Sequence, residues 1–236
     1  MNLKFKNMNF EIELTPNFVN CLEVQNKEYF SRITLALLSQ LGEVACEPYF
    51  LFNDKGKSVS VKNKLIVINT LPQIPVADKK SLSGVWDAIS NDMRLDIESY
   101  DEFMSLANRM FEIIRIHSLG LHSSMDFMLE FDEKLVMKCF GFEPDSATSD
   151  KLIDNLIAFF EILIDAGSIK PVVFVNLKNF LTKNQLELVA EQAFLNKIPL
   201  LLLESSCDSN KYEREQKIVV DQDLIVFDQR GNAGCF

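Results

Sequence analysis

Two unbroken apolar runs in the last third of the chain enclose a segment with a helical pattern. Residues 172–175 and 200–203 are apolar throughout, which is typical of strands buried on both faces of a parallel sheet. Between them, Thr182 and Gln185 have the spacing of a capping box, in which side chains bond the free amides of a helix start. One apolar helix face follows: Leu186, Val189, Ala190, Ala193 and Phe194. The pattern predicts a right-handed strand–helix–strand unit.

Polar residues stand at the ends of these two strands, where α/β proteins place their chemistry. They are Asn176 and Glu204. A nucleotide-hydrolysing protein of this class needs a glycine-rich turn ending in Lys-Ser or Lys-Thr, because its backbone amides wrap the phosphate. The turn after an earlier buried run, residues 18–24, reads EVQNKEYFS and contains no glycine. Its side chains would obstruct those amides, so the sequence argues against ordinary P-loop ATP hydrolysis.

The first 24 residues carry two strand patterns. Leu3 and Phe5 and, after a break, Phe10, Ile12 and Leu14 alternate with polar residues, whereas residues 18–24 form a more continuous apolar run. We therefore expect two strands in this segment. A helix is expected next, because apolar residues recur at helical spacing between residues 29 and 41.

The middle third of the chain has helical spacing instead of strand alternation. After Pro72 and Pro75, apolar helix faces occupy residues 82–89, 103–114 and 152–164. Because this helical stretch lies between two α/β portions, the sequence predicts a discontinuous α/β head with an inserted α-helical leg. The predicted head comprises residues 1–80 and 168–236, and the predicted leg comprises residues 81–167.

The charge balance narrows the choice of partners. The 236 residues carry a formal net charge of −10 at pH 7, which disfavours a general nucleic-acid coat but leaves room for a local cationic surface. Six lysines are concentrated in one segment, with no arginine among them: Lys55, Lys57, Lys62, Lys64, Lys79 and Lys80. We interpret them either as protection of an exposed hairpin edge or as a strip that contacts phosphates.

Motifs of known catalytic sites are missing from the sequence. The two histidines, His117 and His122, lie five residues apart and would not share a helix face, so we interpret them as helix-end or packing residues. The five cysteines are scattered without a CxxC pair, which is typical of reduced thiols in the cytosol and gives no zinc signature. No apolar run approaches the roughly 20 residues of a membrane span, and the start lacks a secretory signal pattern. We expect a cytoplasmic protein.

One acidic cluster could bind a metal. Asp126, Glu130, Asp132 and Glu133 lie within eight residues of each other, just before a predicted helix. Crowded carboxylate oxygens suit Ca²⁺ or Mg²⁺. The spacing is not that of an EF-hand loop, however, and acids before a helix also stabilise its positive end. Residue type alone leaves both interpretations open.

Two long stretches resemble a known family. The first, SMDFMLEFDEKLVMKCFGFEPD, contains the acidic cluster. The second, DNLIAFFEILIDAGSIKPVVFVNLKNFLTKNQLELVAEQAFLNKIPLLLLE, contains the strand–helix–strand unit and an FVN…LT pattern at residues 174–182. The amino-terminal half agrees in layout, including EYFSRITLALLSQL. Over most of its length the chain resembles the Csn-two family, CRISPR-associated adaptation proteins of type II-A systems.

The resemblance implies a fold and a function. The fold would be α/β, with a degenerate P-loop-NTPase-like head and an inserted α-helical leg. The protein would be a non-enzymatic homotetrameric ring that binds double-stranded DNA ends without sequence preference. Calcium would stabilise the leg, and the acidic family segment falls on Asp126, Glu130, Asp132 and Glu133. The ring would act in spacer acquisition together with the CRISPR integrase and effector nuclease.

The resemblance identifies the DNA-contacting lysines less directly than the acidic segment. Lysines line the ring in the family without forming a motif, so the six clustered lysines are candidates for DNA contact by local charge. DNA held by a few lysines inside an otherwise acidic ring would reconcile the net charge of −10 with DNA binding. Two other functions stay open: a metal-dependent phosphohydrolase or nuclease that uses the same carboxylates, and a scaffold that bridges integrase and effector with little DNA affinity.

Overall fold

The computed structural model describes residues 1–71, 74, 79–123, 132–142, 151–168, 170–208, 210 and 212–229, with the backbone alone at residues 79–81. These residues form two sheets and six α-helices, which confirms a mixed α/β class. Contacts divide the chain into two units. The first unit comprises Met1–Val76, Ala147–Ile164 and Ile169–Phe236, and the second comprises Ala77–Ser146 and Asp165–Ser168.

The elements have the following bounds. The strands are β1 (Asn2–Phe5), β2 (Glu11–Glu13), β3 (Val19–Val24), β4 (Tyr49–Phe52), β5 (Ser58–Val59), β6 (Ile66–Ile68), β7 (Val172–Val175), β8 (Leu200–Glu204), β9 (Glu215–Val220) and β10 (Val226–Asp228). The α-helices are α1 (Lys27–Ser39), α2 (Lys79–Leu95), α3 (Ile97–Ser118), α4 (Glu133–Cys139), α5 (Leu152–Asp165) and α6 (Lys183–Leu195).

The smaller sheet of the first unit is antiparallel, with the strand order β2–β1–β4–β5. Leu3 in β1 pairs with Ile12 in β2, and β3 follows in the other sheet. The first 24 residues thus form three strands, and the prediction of two was wrong. The chain reverses in a turn after Phe5, where the N–H of Met8 donates to the Phe5 carbonyl. The alternation therefore continues in a new antiparallel strand instead of extending the first.

The larger sheet has six strands in the order β10–β9–β3–β8–β7–β6. Strands β9, β3, β8, β7 and β6 are parallel, and β10 runs antiparallel to β9. Every residue of β3, β7 and β8 is buried, as the continuous apolar runs predict. One face of this sheet packs against α1 and the smaller sheet, and the other packs against α5 and α6.

The predicted strand–helix–strand unit is confirmed as β7–α6–β8. Thr182 and Gln185 form the capping box, since the Thr182 N–H donates to Gln185 Oε1 at 2.9 Å and the Gln185 N–H donates back to Thr182 Oγ1. Leu186 and Val189 are buried against the sheet. Phe194, predicted on the same face, is instead exposed and lies beneath the Arg214 guanidinium.

The second unit contains α2, α3 and α4. Gly84 in α2 allows a close approach, because a Cβ there would lie 2.8 Å from the Cβ of Ala166. The indole of Trp86 in α2 donates to the Phe142 carbonyl just after α4. His117 is exposed in the last turn of α3. Within the described residues, no helix has the length and apolar composition needed to cross a membrane.

Candidate functional site

The carboxyl ends of β3, β7 and β8 share one edge of the larger sheet, because these strands are parallel neighbours. Directly after β7, Asn176 adopts a left-handed backbone with φ 58°. Its Oδ1 accepts both the N–H and the hydroxyl of Ser205, each at 2.9 Å. Ser205 follows Glu204 at the end of β8, so the two polar positions singled out from the sequence lie at the same edge of the sheet.

A buried ammonium group lies beside these strand ends. Lys178, in the short 3-10 helix after β7, is 6% exposed, and its Nζ lies 2.6 Å from Glu215 Oε1 and 3.3 Å from Glu23 Oε1. The ring centre of Tyr212 is 4.8 Å from the same nitrogen, which is a cation–π contact. Burial by itself would lower the pKa of Lys178, but the neighbouring carboxylates raise it above its usual range and keep the side chain charged.

Lys217 adds a second buried cation. Its Nζ lies 2.9 Å from Glu23 Oε1 and donates to the Asp208 carbonyl. The Asp208 N–H also donates to Glu23, at 3.3 Å, and its carboxylate accepts the Tyr212 hydroxyl. We call Glu23, Lys178, Glu215 and Lys217 the buried ionic cluster. Its two ammonium groups offset its two carboxylates, and it anchors the chain between β8 and β9.

Glu204 lies next to the cluster and is fully buried. Its Oε1 accepts the backbone N–H of Lys178 at 3.1 Å, whereas its Oε2 has no hydrogen-bond partner among the described residues. Burial, opposed by the hydrogen bond and charge of Lys178 and assisted by the charge of Glu23, raises the pKa of Glu204 to about 7. Glu204 is therefore close to half protonated at neutral pH.

The raised pKa of Glu204 predicts a loss of stability as pH rises from acid to neutral. Because the pKa in the fold lies above its ordinary value of 4.5, the contribution of Glu204 is complete below about pH 4.5 and is lost as pH rises through about 7. Between pH 5 and 8.5 the wild type should lose about 2–3 kcal/mol more unfolding free energy than Glu204→Gln. Urea unfolding of both proteins across this range measures the difference. Parallel pH profiles of the two proteins would refute the raised pKa of Glu204.

The arrangement of these groups is suited to structure more than to substrate binding. Each side chain of the buried ionic cluster is at most 10% exposed, so the charges face one another and not solvent. The nearby start of α1 is also occupied by the chain itself, since Asn26 Oδ1 accepts the Tyr29 N–H at 3.0 Å. The cluster ties β3, β9 and the β7 end together.

Sequence reasoning missed this cluster. Glu23 stands inside the buried run VNCLEV and Lys217 inside EQKIVV. A charged residue within an otherwise apolar strand needs a partner of opposite charge, because an isolated buried charge is very unfavourable. That signal was present in the sequence and identifies the two residues, although it does not identify their partners.

The predicted DNA-binding lysines fall in two places. Lys55 and Lys57 are exposed in the turn between β4 and β5, and Lys62 and Lys64 are exposed in the turn before β6. The first turn is ordered by Asn53, whose Oδ1 accepts the N–H groups of the lysines at 55 and 57 at 3.1 and 2.9 Å. Strand β5 is an edge of the smaller sheet, so edge protection and phosphate contact are both compatible with this position.

The remaining two lysines are at the start of a helix. Lys79 and Lys80 are the first residues of α2, and their side chains lie outside the described residues. They belong to the second unit, whereas the other four belong to the first. Their part in DNA contact stays a prediction.

The predicted calcium ligands are only partly described. Asp126 and Glu130 lie outside the described residues. Asp132 is exposed and caps α4, with its Oδ1 accepting the Lys134 N–H at 2.9 Å. Glu133, the first residue of α4, is 4% exposed. Burial would raise the pKa of Glu133, but hydrogen bonds from Arg94 lower it below its usual value.

Arg94 donates hydrogen bonds to both oxygens of the Glu133 carboxylate. Its Nε and Nη2 donate to Oε1 at 3.0 and 2.8 Å, and Nη2 also lies 3.0 Å from Oε2. The Tyr100 hydroxyl donates to Oε1 at 3.3 Å. Among the side chains that the structure describes, no group of three His, Cys, Asp or Glu residues is arranged to hold a metal. In this arrangement Glu133 does not fit a calcium shell, and the ligand set stays a prediction.

Comparison with known proteins identifies the family. A family described as CRISPR-associated protein (Cas_Csn2) matches residues 45–224, which is more than half of the chain. The crystal structure of Stu0660 of Streptococcus thermophilus is similar in fold, with a TM-score of 0.55 and 15% sequence identity over 97% of this chain and 76% of that chain. No curated protein matches the sequence. The chain belongs to the CRISPR-associated Csn-two family.

Proposed function

We propose that the chain is a non-enzymatic protein that binds double-stranded DNA ends without sequence preference and acts in CRISPR spacer acquisition. It would work as a calcium-stabilised homotetrameric ring in the cytoplasm, together with the integrase and the effector nuclease. Membership of the Csn-two family is the observation that carries this proposal. The internally compensated charges at the strand ends support a non-enzymatic role, because they offer no open group to a substrate.

Exposed lysines support the DNA-binding part of the proposal. Lys55, Lys57, Lys62 and Lys64 face solvent in two turns of the first unit, and none of them has an acidic partner in an ion pair among the described residues. A chain with a net charge of −10 repels DNA over most of its surface. Contact limited to a few lysines would favour threading from a DNA end over capture from the side.

An exposed apolar stripe supports self-association. Leu106, Met110, Ile113 and Ile114 recur at spacings of three and four along α3, so they share one helix face. Each is more than half exposed, and α3 has no buried residue at all among those described. An apolar helix face of this kind is typical of an interaction surface. In the proposed ring it would meet another copy of the chain.

Calcium is proposed from the family and from the acidic segment. Asp126, Glu130 and Asp132 are the acids that would supply oxygen ligands. Calcium bound there would neutralise the repulsion among these carboxylates and hold the segment before α4 in one conformation. Glu133 would have to give up Arg94 to take part.

The experiment that tests the proposal is a measurement of native mass by light scattering, with calcium or with a chelator. It is repeated with blunt linear DNA and with closed circular DNA. We expect a tetramer that requires calcium and gains mass only with linear DNA. A monomer that is indifferent to calcium and to both DNA forms would overturn the proposal. Metal-dependent shortening of the linear DNA would support the nuclease alternative.

A scaffold function is the second candidate. The sequence pI of about 4.8 favours it, because an acidic surface suits basic protein partners better than DNA. Such a scaffold would bridge integrase and effector without strong DNA affinity of its own. Charge reversal of the four exposed lysines at residues 55–64 should weaken DNA binding only if the chain itself binds DNA, and it therefore distinguishes the two functions.

A further inference from the structure

The Glu133 carboxylate lies in a cation-binding environment that is already filled. It is 4% exposed at the first position of α4, and both of its oxygens accept hydrogen bonds from Arg94 at 2.8–3.0 Å. A guanidinium fork offers a carboxylate fixed and parallel donors, which makes this type of pair stronger than a single ammonium contact. The charge of Glu133 is thus neutralised by the chain itself.

The same carboxylate joins three helices. Arg94 comes from the last turn of α2, Tyr100 comes from the first turns of α3 and donates its hydroxyl to Oε1 at 3.3 Å, and Glu133 starts α4. Lys134 and Asp87 form a second ion pair between α4 and α2. Arg94 therefore does for this helix group what a bound cation does in a metal-stabilised one, and Glu133 is its ligand.

Calcium could use Glu133 only by displacing the arginine. Ca²⁺ requires six to eight oxygen ligands at about 2.3–2.6 Å, whereas the oxygens of Glu133 are directed at guanidinium nitrogens and at a phenol. Displacement would leave Arg94 without its carboxylate and would break the link between α2 and α4. Arg94 is about half exposed whereas Glu133 is buried, so loss of the guanidinium would leave a buried carboxylate without its charged hydrogen-bond donors, which is destabilising.

We propose that Arg94 is the permanent cation of Glu133: it holds α4 to α2 and α3 in place of a metal, and Glu133 is not a calcium ligand. The statement that Glu133 is not a calcium ligand rests on the calcium part of the proposed function and refines it. Calcium in this chain is then bound by other acids, and the junction of the three helices is independent of calcium.

The test compares Glu133→Gln and Arg94→Met with wild type. Thermal unfolding is recorded in chelator and in excess Ca²⁺, and Ca²⁺ binding is measured by calorimetry. We expect both variants to unfold about 5 °C or more below wild type, by the same amount in both conditions. The Ca²⁺ dissociation constant of Glu133→Gln should stay within about threefold of the wild-type value.

Matched variants make the outcome decisive. Arg115→Met breaks an exposed Arg–Glu pair on α3, with Glu112, and should shift unfolding by only about 1 °C. Tyr100→Phe removes one hydrogen bond and gives a smaller, calcium-independent shift if the larger changes prevent folding. A tenfold weaker Ca²⁺ affinity in Glu133→Gln, rescue of Arg94→Met by Ca²⁺, or unchanged unfolding of both variants would overturn the proposal.

Failure of the proposed function would look different. If the wild type binds no Ca²⁺ and Asp126→Asn with Glu130→Gln changes nothing, the calcium part of the proposed function fails. The unfolding shifts of Glu133→Gln and Arg94→Met would still decide whether Arg94 holds the three helices together.

Discussion

Replacing Lys178 by methionine is expected to lower the free energy of unfolding by about 3–5 kcal/mol, the usual cost of breaking a buried ion pair by removing one partner. Methionine keeps the length and the apolar stem of lysine, so the change removes mainly the charge. Glu215 and Glu23, which are almost fully buried at 2.6 and 3.3 Å from the ammonium, would then share only Lys217. Two carboxylates with one cation in a buried site cannot both remain ionised without a large penalty.

Urea unfolding at pH 7 measures this effect. The matched control is Lys183→Met, because Lys183 is a half-exposed lysine in an i,i+4 pair with Glu187 on α6, and its loss should cost less than about 0.5 kcal/mol. A cost below about 1 kcal/mol for Lys178→Met would mean that water or rearranged partners compensate the buried charges. The buried ionic cluster would then not be a principal anchor of β3 and β9.

Partial rescue would identify the charge as the cause. In a Lys178→Met protein, Glu215→Gln removes the unpaired carboxylate and should recover part of the lost stability. In the wild type, the same Glu215→Gln change should destabilise. Opposite signs in the two backgrounds would distinguish an electrostatic effect from simple loss of packing around the lysine stem.

The parts of the fold that depend on local sequence were predictable. Capping by Thr182 and Gln185 acts within one helix turn, and the apolar periodicity of α6 is a property of thirteen consecutive residues. The runs that became β7 and β8 are buried on both faces, so their composition alone indicates a central strand. These features need no information about distant parts of the chain, and the structure confirms them except at Phe194, which is exposed.

The buried ionic cluster could not be predicted in the same way. Lys178 and Glu23 are 155 residues apart in sequence, and they meet because only β8 separates β3 from β7, the strand that Lys178 follows. The pairing of Cys21 with Lys217 fixes which end of β9 approaches Glu23. Strand order and register are tertiary properties, and neither apolar periodicity nor composition determines them.

For the candidate functional residues, too, the sequence indicated residue types but not their contacts in the fold. Residue type pointed to the acidic segment and to the lysines, because carboxylates suit calcium and cations suit phosphate. The sequence did not show that Arg94, some 39 residues before Glu133, would occupy one of those carboxylates. Residue type does not show whether a side chain is already paired within the fold or free to bind a ligand.

Reversing the charge of Lys55, Lys57, Lys62 and Lys64 together is expected to weaken binding of linear duplex DNA by about 100-fold or more at physiological salt. Each lysine that contacts a phosphate releases condensed counterions, so affinity falls by a power of the salt concentration that depends on the number of contacts. Changing the four lysines to glutamine instead should lower the slope of log affinity against log salt by about 0.9 for each lysine in contact. Fluorescence anisotropy with an end-labelled duplex across a salt series measures both quantities.

The control for this prediction reverses four other exposed lysines of the first unit, namely Lys6, Lys27, Lys183 and Lys197. Both sets change the net charge of the chain by the same amount, so a general electrostatic effect would weaken DNA binding equally in the two. A loss confined to the set at residues 55–64 would locate the DNA contact on the two turns of that segment. Unchanged binding by that set would contradict the phosphate-contact interpretation, leave those lysines as protection of the β5 edge, and favour the scaffold function, because a bridge between proteins needs no cationic path for DNA.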